Sequence, residues 1–309
     1  HRRQRQMCIR DRIITMGPPS SGGLHVIQML NIVENYDLKN MGHNSTNYIN
    51  LLAEVMKYAY SDRSKYLGDP DFYDVPVEKI ISKEYAAEIN KNIDIGRSTP
   101  VDDIYPGKFL DKESHETTHF SVVDKEGNVV SMTYTLNSTF GSKVVVKGTG
   151  ILMNNEMDDF SAAPGVPNQF NLLGADANAI APYKRPLSSM TPTIVLKNNE
   201  LFFTTGSPGG ARIISAVFQS ILNIIDFKMN LEEATLAKRL HHQWYPDMLE
   251  FEFSIDEKIN DELKNMNYIT KTTLPLTCLQ TIMFIEDTYY GYGDFRRVDA
   301  LASGNINVR

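Results

Sequence analysis

The stretch "HETTHFSVVD", residues 115–124, decides how the rest of the chain is read. It sets Thr117 and Thr118 at the head of an apolar run, and threonine is at home in a β-strand. On pattern alone, Phe120 and Val122 make one face of a strand, with Thr118 and Ser121 on others. A second run, "VVSMTYTLN" (129–137), follows across "DKEGN", whose Gly127 and Asn128 suit a short connection, so the two runs predict a hairpin.

Working downstream, a long loop is expected from Asn154 to about Arg185. Next come a strand ("TPTIVLK"), a turn ("NNE") and a second strand ("LFFTT"). "GSPGG" then leads into a helix whose core face carries Ile213, Ile214, Val217, Phe218, Ile221, Ile224 and Ile225. Asn230 with Glu233 three residues later reads as a capping box, and Ser254 with Glu257 as another candidate. Strands are expected near 268–273, 279–286 and 288–292.

Upstream the pattern is helical. "MGPPSSGG" is a loop, followed by a helix from about Leu24 to Val33. Ser45 caps a second helix with Leu51, Leu52, Val55, Met56, Ala59 and Tyr60 on its apolar side, and "LGDPDF" (67–72) stops it. A third helix is expected over 83–92, and 97–114 reads as a proline-containing, charged linker. Hairpins with separated helices predict sheets stacked with helices outside.

The bulk numbers exclude more than they assign. The 309 residues carry 31 Lys and Arg against 38 Asp and Glu, a formal charge of −7 that argues against a nucleic-acid binder. No apolar run approaches membrane-spanning length, so no span is expected. The head, "HRRQRQMCIRDR", is set apart by its five arginines. A codon string resembling a transposase-type sequencing-library adapter encodes Arg2 to Arg12, so residues 1–12 are read as an artefact and left out of fold reasoning. Without them the chain is more acidic still, and Cys278 is its one cysteine, so no intrachain disulfide is expected. The natural N-terminal part, with any signal region, is then expected to be missing.

Taken singly, the candidate chemical motifs are weak. "TTGSPGGARII" joins a strand to a helix start through a glycine turn, which suits either an oxyanion or plain packing. It has neither dinucleotide-fingerprint nor nucleophile-elbow spacing. Glu156, Asp158 and Asp159 lack calcium-loop spacing and fit a solvated acidic loop. Ser188 and Ser189 fit a turn. His241 and His242 point apart in any regular structure, which disfavours a shared metal.

In order along the chain, however, "TTHFSVVDKEGNVVSMTYTLNSTFGS", "GILMNNEMDDFS", "PGVPN", "KRPLSSMTPTIV", "TGSPGGARI" and "HHQW" resemble the small subunit of γ-glutamyltranspeptidases. These are N-terminal nucleophile hydrolases. "GPPSSGG" and "YSDRSKYLGDPDF" are similar to the C-terminal part of the large subunit. The resemblance implies an α+β fold, a four-layer αββα sandwich incomplete at its N-terminus, with 13–116 belonging to the large subunit and 117–309 forming the small one. It also implies self-cleavage of the Glu116–Thr117 bond, leaving a heterodimer. Thr117 would then carry a free α-amine, which serves as base for its own weakly acidic hydroxyl.

The remaining roles follow from the same resemblance. Thr135 would hydrogen-bond Thr117, and Gly209 and Gly210 would form the oxyanion hole. Asn137, Glu156 and Asp159 would hold the glutamyl α-amine, and Ser188 and Ser189 the α-carboxylate. Pro164 to Gly174 matches a lid with Phe170 as its gate, favouring the glutathione-processing branch. No metal or cofactor is implied. The substrate would be glutathione or a related γ-glutamyl compound, and the acceptor water, an amino acid or a peptide, in the periplasm or outside the cell. His119 is not the base in this scheme. The family's carboxylate-clamping arginine belongs to an earlier part of the large subunit, and "GDFRRVDALASG" departs from the family's D-P-R ending. A related acylase, a poly-γ-glutamate enzyme and an inactive fragment are the alternatives.

Overall fold

The computed structural model describes residues 12–104, 117–163, 166, 168, 172–298 and 300–304, together with the backbone of 3–6. In chain order the strands are β1 (Arg3–Gln6), β2 (Arg12–Thr15), β3 (Thr118–Val123), β4 (Val129–Tyr134), β5 (Thr193–Lys197), β6 (Glu200–Thr205), β7 (Leu240–His241), β8 (Leu249–Phe251), β9 (Thr270–Thr272), β10 (Gln280–Ile285) and β11 (Thr288–Gly293). The helices are α1 (Gly22–Val33), α2 (Leu38–Met41), α3 (Thr46–Tyr66), α4 (Val77–Ile80), α5 (Lys83–Asn90), α6 (Arg212–Ile225), α7 (Leu231–Leu236) and α8 (Glu257–Asn265).

Six strands form the main sheet, in the order β1-β2-β5-β6-β10-β11, each antiparallel to its neighbour. The helices α1, α3 and α6 pack together beside it, and β3–β4 lies across it, β3 against β10 and β4 against β5 and β6. A helix layer, a sheet and a second, two-stranded layer are therefore present, the mixed α/β arrangement expected from the sequence. A small sheet, β7-β8-β9, flanks the helices.

The helices form where their caps and stripes say they should. Ser45 accepts from the Tyr48 N–H and opens α3, whose Leu51, Leu52, Val55, Met56, Ala59 and Tyr60 are all buried. Asn230 and Glu233 form both bonds of the capping box of α7. In α6 both predicted and unpredicted faces are buried, except at Ile225, because the helix is packed among α1, α7 and β7. Each of its fully buried Ile and Val side chains contributes about 1.5–3 kcal/mol, so this hairpin-to-helix region anchors the core.

Three expectations are corrected. Asp256, not Ser254, caps α8, accepting from the Lys258 and Ile259 N–H groups; its carboxylate sits at the helix start, whereas Ser254 lies two residues too early. Residues 97–104 are not a linker: Val101 and Ile104 are buried, and the buried Ser98 accepts from the Lys57 ammonium. The arginine-rich head supplies β1 and the first residue of β2, which does not bear on its reading as an artefact. Pairing along an open edge needs only backbone groups, so composition does not prevent it.

The third correction concerns the opening strand. Thr118, read as lying on another face, shares one with Phe120 and Val122, and that face points outward: Phe120 is 39% and Val122 51% exposed. The face toward the main sheet carries His119 and Ser121 instead. His119 is bracketed by the Thr133 and Ser121 hydroxyls at 2.8 and 3.2 Å, and Ser121 donates to the Gln280 carbonyl of β10 at 3.2 Å. Polar residues face in because the partner surface supplies their hydrogen-bond partners.

Candidate active site

Thr117 stands immediately before β3, 9% exposed, its hydroxyl 3.5 Å from that of Thr135. The hairpin register brings them together: Thr118 pairs with Tyr134, so the residues just outside that pair meet at the open end. The Thr117 carbonyl oxygen accepts from Arg297 Nη1 at 3.2 Å. Glu116, the other side of the expected cleavage point, lies outside the described residues.

From Thr135 a chain of hydrogen bonds runs through the expected binding residues. The Asn137 N–H donates to Thr135 Oγ1 at 2.7 Å, and the Asn137 side chain donates to the Asn155 carbonyl at 3.2 Å. Asn137 has a φ of 72°, a left-handed conformation that asparagine accepts more readily than most residues. It turns the chain back, so residues 137 and 155 become neighbours. Glu156 and Asp159 follow on one short helical turn and form a hydrogen-bonded carboxyl pair.

That pair is electrostatically strained. Burial pushes Asp159 well above the usual carboxylate range, and the adjacent Glu156 carboxylate pushes it further. Burial likewise raises Glu156. Two carboxyls in contact cannot both ionise cheaply without a cation. None of these side chains is fully buried, as in the solvated acidic loop weighed from the sequence, and what the structure adds is the contact between Glu156 and Asp159. A bound ammonium group is one species that would let both carboxyls ionise.

The cation that faces Asp159 within the protein is Arg63, which the sequence reading did not assign a role. It is 5% exposed, donates from Nε to Ser21 Oγ at 3.0 Å and from Nη2 to Ser189 Oγ at 3.1 Å, and interacts with the Asp159 charge. Burial lowers its pKa to about 10, which still leaves it charged at neutral pH. Arg63 thus ties the two halves of the expected substrate site together. A signal was present: Met56, Ala59, Tyr60 and Arg63 follow helical spacing, so the arginine falls on the apolar face of α3. Ser188 is fixed by its backbone, exchanging bonds with Ser21 and Pro19, while its hydroxyl accepts from the Met190 N–H.

The glycine turn follows β6. Gly209 and Gly210 both have positive φ, 135° and 54°, and their carbonyls accept from the Arg212 and Ile213 N–H groups to start α6. Among the described residues neither glycine N–H donates a hydrogen bond, so the turn offers two amides at a helix start. Gly206, four residues before Gly210, packs directly against the His119 ring, linking this loop to the strand that follows Thr117.

His119 itself is held neutral. Burial lowers its pKa to about 4, and its ring nitrogens are taken up by two hydroxyls. That environment suits a packing residue and not a base working at neutral pH. His241 and His242 have separate partners, Ser215 with Gln243 and Asp247, respectively. Among the described residues no cluster of three or more His, Cys, Asp or Glu is arranged for a metal ion. Likewise, no described helix is long and apolar enough to cross a membrane. Of the expected lid, Phe170 lies outside the described residues; Asn168 is described, and its amide lies 3.5 Å from Asp159 Oδ1.

Comparison with known proteins gives the family and the fold. The family model "Gamma-glutamyltranspeptidase" matches residues 5–304. The chain is 51% identical over 296 residues to a glutathione hydrolase proenzyme of Escherichia coli, covering 95% of this chain and 51% of the relative. A variant of Helicobacter pylori γ-glutamyltranspeptidase has a solved chain 49% identical, with a TM-score of 0.57, covering 58% of this chain and 100% of that one. A cephalosporin acylase from Bacillus halodurans gives a TM-score of 0.81 at 25% identity, covering 99% of this chain and 53% of that one. The chain thus spans about half the length of the curated relatives it matches. By sequence and by fold it belongs to the γ-glutamyltranspeptidase family.

Proposed function

We propose that the full protein of which this chain is a part is a self-cleaving γ-glutamyl transferase and hydrolase acting on glutathione or related γ-glutamyl amides. The observation that carries this is the continuous set of contacts from Thr117 through Thr135 and Asn137, with the strained Glu156–Asp159 pair bridged by Arg63 to Ser189. One end is a nucleophile and the other a carboxyl pair that Arg63 does not fully neutralise, Asp159 staying above the usual carboxylate range with that arginine in place. A γ-glutamyl group has that cation in its α-amine, next to an α-carboxylate that hydroxyls and backbone groups can hold.

In this reading Thr117 attacks the Glu116 carbonyl, an N-to-O acyl shift follows, and water releases the ester. The chain then divides into 13–116, within the large subunit, and 117–309, the small subunit. The freed α-amine takes the proton from the Thr117 hydroxyl as it attacks the γ-carbonyl. Thr135 orients that hydroxyl, and the Gly209 and Gly210 amides receive the oxyanion, each such donor being worth about 3 kcal/mol. Glu156, Asp159 and Asn137 hold the ammonium, and Ser188 and Ser189 the carboxylate, under a lid that includes Phe170. The amine leaves, and water or an amino-acid or peptide acceptor takes the acyl group, in the periplasm or outside the cell.

The test is turnover of a γ-glutamyl anilide by the full-length protein. Release of the aniline by the wild type, and its loss in Thr117→Ala with folding intact, is the expected result. Full activity in Thr117→Ala would refute the assignment, and a folded wild type without turnover would favour an acylase or an inactive relative.

A further inference from the structure

The wall behind the Gly209–Gly210 turn is secured by one buried carboxylate. Glu252 follows β8 and is 6% exposed. Its Oε1 accepts from the Leu276 N–H at 3.2 Å, from the Thr277 N–H at 2.8 Å and from the Thr277 hydroxyl. Its Oε2 accepts from Arg239 Nε at 3.1 Å, with Arg296 Nε 3.6 Å away. Three donors on a single carboxylate oxygen, two of them from adjacent residues, leave the 276–277 backbone little freedom.

Those two residues are what Gly209 rests on. A Cβ added to Gly209 would lie 2.9 Å from Thr277 Cγ2 and 3.2 Å from the Leu276 carbonyl oxygen. The next residue repeats the link, since the Cys278 N–H donates to Ser207 Oγ at 2.9 Å, two positions before Gly209. Asp294 closes the frame: its Oδ2 accepts from the Leu279 N–H at 3.1 Å and from Arg239 Nη2 at 2.6 Å, and it pairs with Arg296 at 3.0 Å. Arg297, beside Arg296, donates to the Thr117 carbonyl. A buried ionic frame of Arg239, Glu252, Asp294 and Arg296 therefore holds the 276–277 segment that lies beside Gly209, and the residue after the frame's Arg296, Arg297, reaches the Thr117 carbonyl.

We propose that Glu252 is a positioning residue for the reaction: by holding Leu276 and Thr277 it sets the direction of the Gly209 and Gly210 amides. The proposal rests on the reading of those amides as the oxyanion hole. Amides that matter only once negative charge develops affect kcat and not substrate binding. A carboxylate that only stabilises the core would change the unfolding temperature and the yield of active protein, and leave turnover per active site alone.

The experiment uses the full-length protein in two variants, Glu252→Gln and Thr277→Ser. The first keeps the shape and removes the charge that gathers the three donors. The second keeps the hydroxyl and the ionic frame but removes the methyl that touches Gly209, so it carries the test if Glu252→Gln does not fold. Active sites are counted by mass spectrometry as small-subunit chains beginning at Thr117, and kcat for a γ-glutamyl anilide is expressed per site. Both variants are expected to lose about 10- to 100-fold in kcat per site, somewhat less than deletion of a whole oxyanion donor. Their KM should stay within about threefold of the wild type, as expected for an interaction made in the transition state. A per-site kcat equal to the wild type's, with a lowered unfolding temperature, overturns the proposal. So does a raised KM at unchanged kcat. A folded wild type without γ-glutamyl turnover defeats the functional reading instead, and is seen before either variant is made.

Discussion

Gly206→Ala offers a severe test of how the strand that follows Thr117 is seated. Gly206 has no left-handed φ, so alanine meets no backbone penalty there. What it meets is the imidazole: the new Cβ would lie 2.1 Å from His119 Cε1, 2.4 Å from Nδ1 and 2.6 Å from Nε2. The ring cannot slide aside, because Thr133 and Ser121 hold it at both nitrogens. The methyl can enter only by expelling the ring or bending the loop, an overpacking cost at the upper end of the usual range, about 3 kcal/mol. With the ring removed the same methyl enters vacated space, and Gly206→Ala in a His119→Ala background should cost about 1 kcal/mol or less. The double-mutant cycle in the full-length protein should therefore show a coupling of about 2 kcal/mol, read from urea midpoints at constant slope. Additive effects of the two substitutions would refute the packing described for β3 and the glycine turn.

The elements easiest to read from sequence were those whose signals are local. Ser45 and Asn230 sit at the helix starts they cap, and the apolar stripes of α3 and α6 are one-face patterns of adjacent turns. Two errors arose where a local pattern had two readings. Ser254 and Asp256 both suit a cap, and only the backbone decides between them. Thr118 was read off the face of Phe120 and Val122, yet strand alternation puts the three together, and the inward side is the polar one, because hydroxyls and a carbonyl across the interface satisfy it. At the proposed site, the family resemblance named Thr117, Thr135 and the glycine turn, and the structure places the Thr117 and Thr135 hydroxyls 3.5 Å apart. Arg63 was visible in principle as a charge on an apolar helical stripe. The frame of Arg239, Glu252, Asp294 and Arg296 had no such signal: its members are scattered along the chain, and only the fold brings them together.

Two further expectations follow from buried charge. His119 is held neutral with a pKa lowered to about 4, against 6.5 in the unfolded chain, so below pH 6.5 the unfolded state binds the extra proton and stability falls with pH until about pH 4. His119 alone should account for about 2 kcal/mol of stability lost between pH 7 and pH 5, and in urea titrations His119→Gln should show a loss smaller by that amount; an unchanged pH dependence would contradict the assignment. Arg63→Met removes a charged donor from Ser189 and the cation facing Asp159. KM for a γ-glutamyl anilide should rise about thirtyfold, equivalent to a charged hydrogen bond worth about 2 kcal/mol; an unaltered KM would separate Arg63 from the substrate site.

The central claim is that Thr117 becomes a chain terminus. Purified full-length protein, resolved into its chains and measured by intact-mass and N-terminal peptide analysis, tests it most directly. The account predicts two chains, the smaller beginning at Thr117 with a free α-amine, and a single uncut chain in Thr117→Ala. An active protein that remains one chain, or one cut before Thr118 or elsewhere, would contradict it.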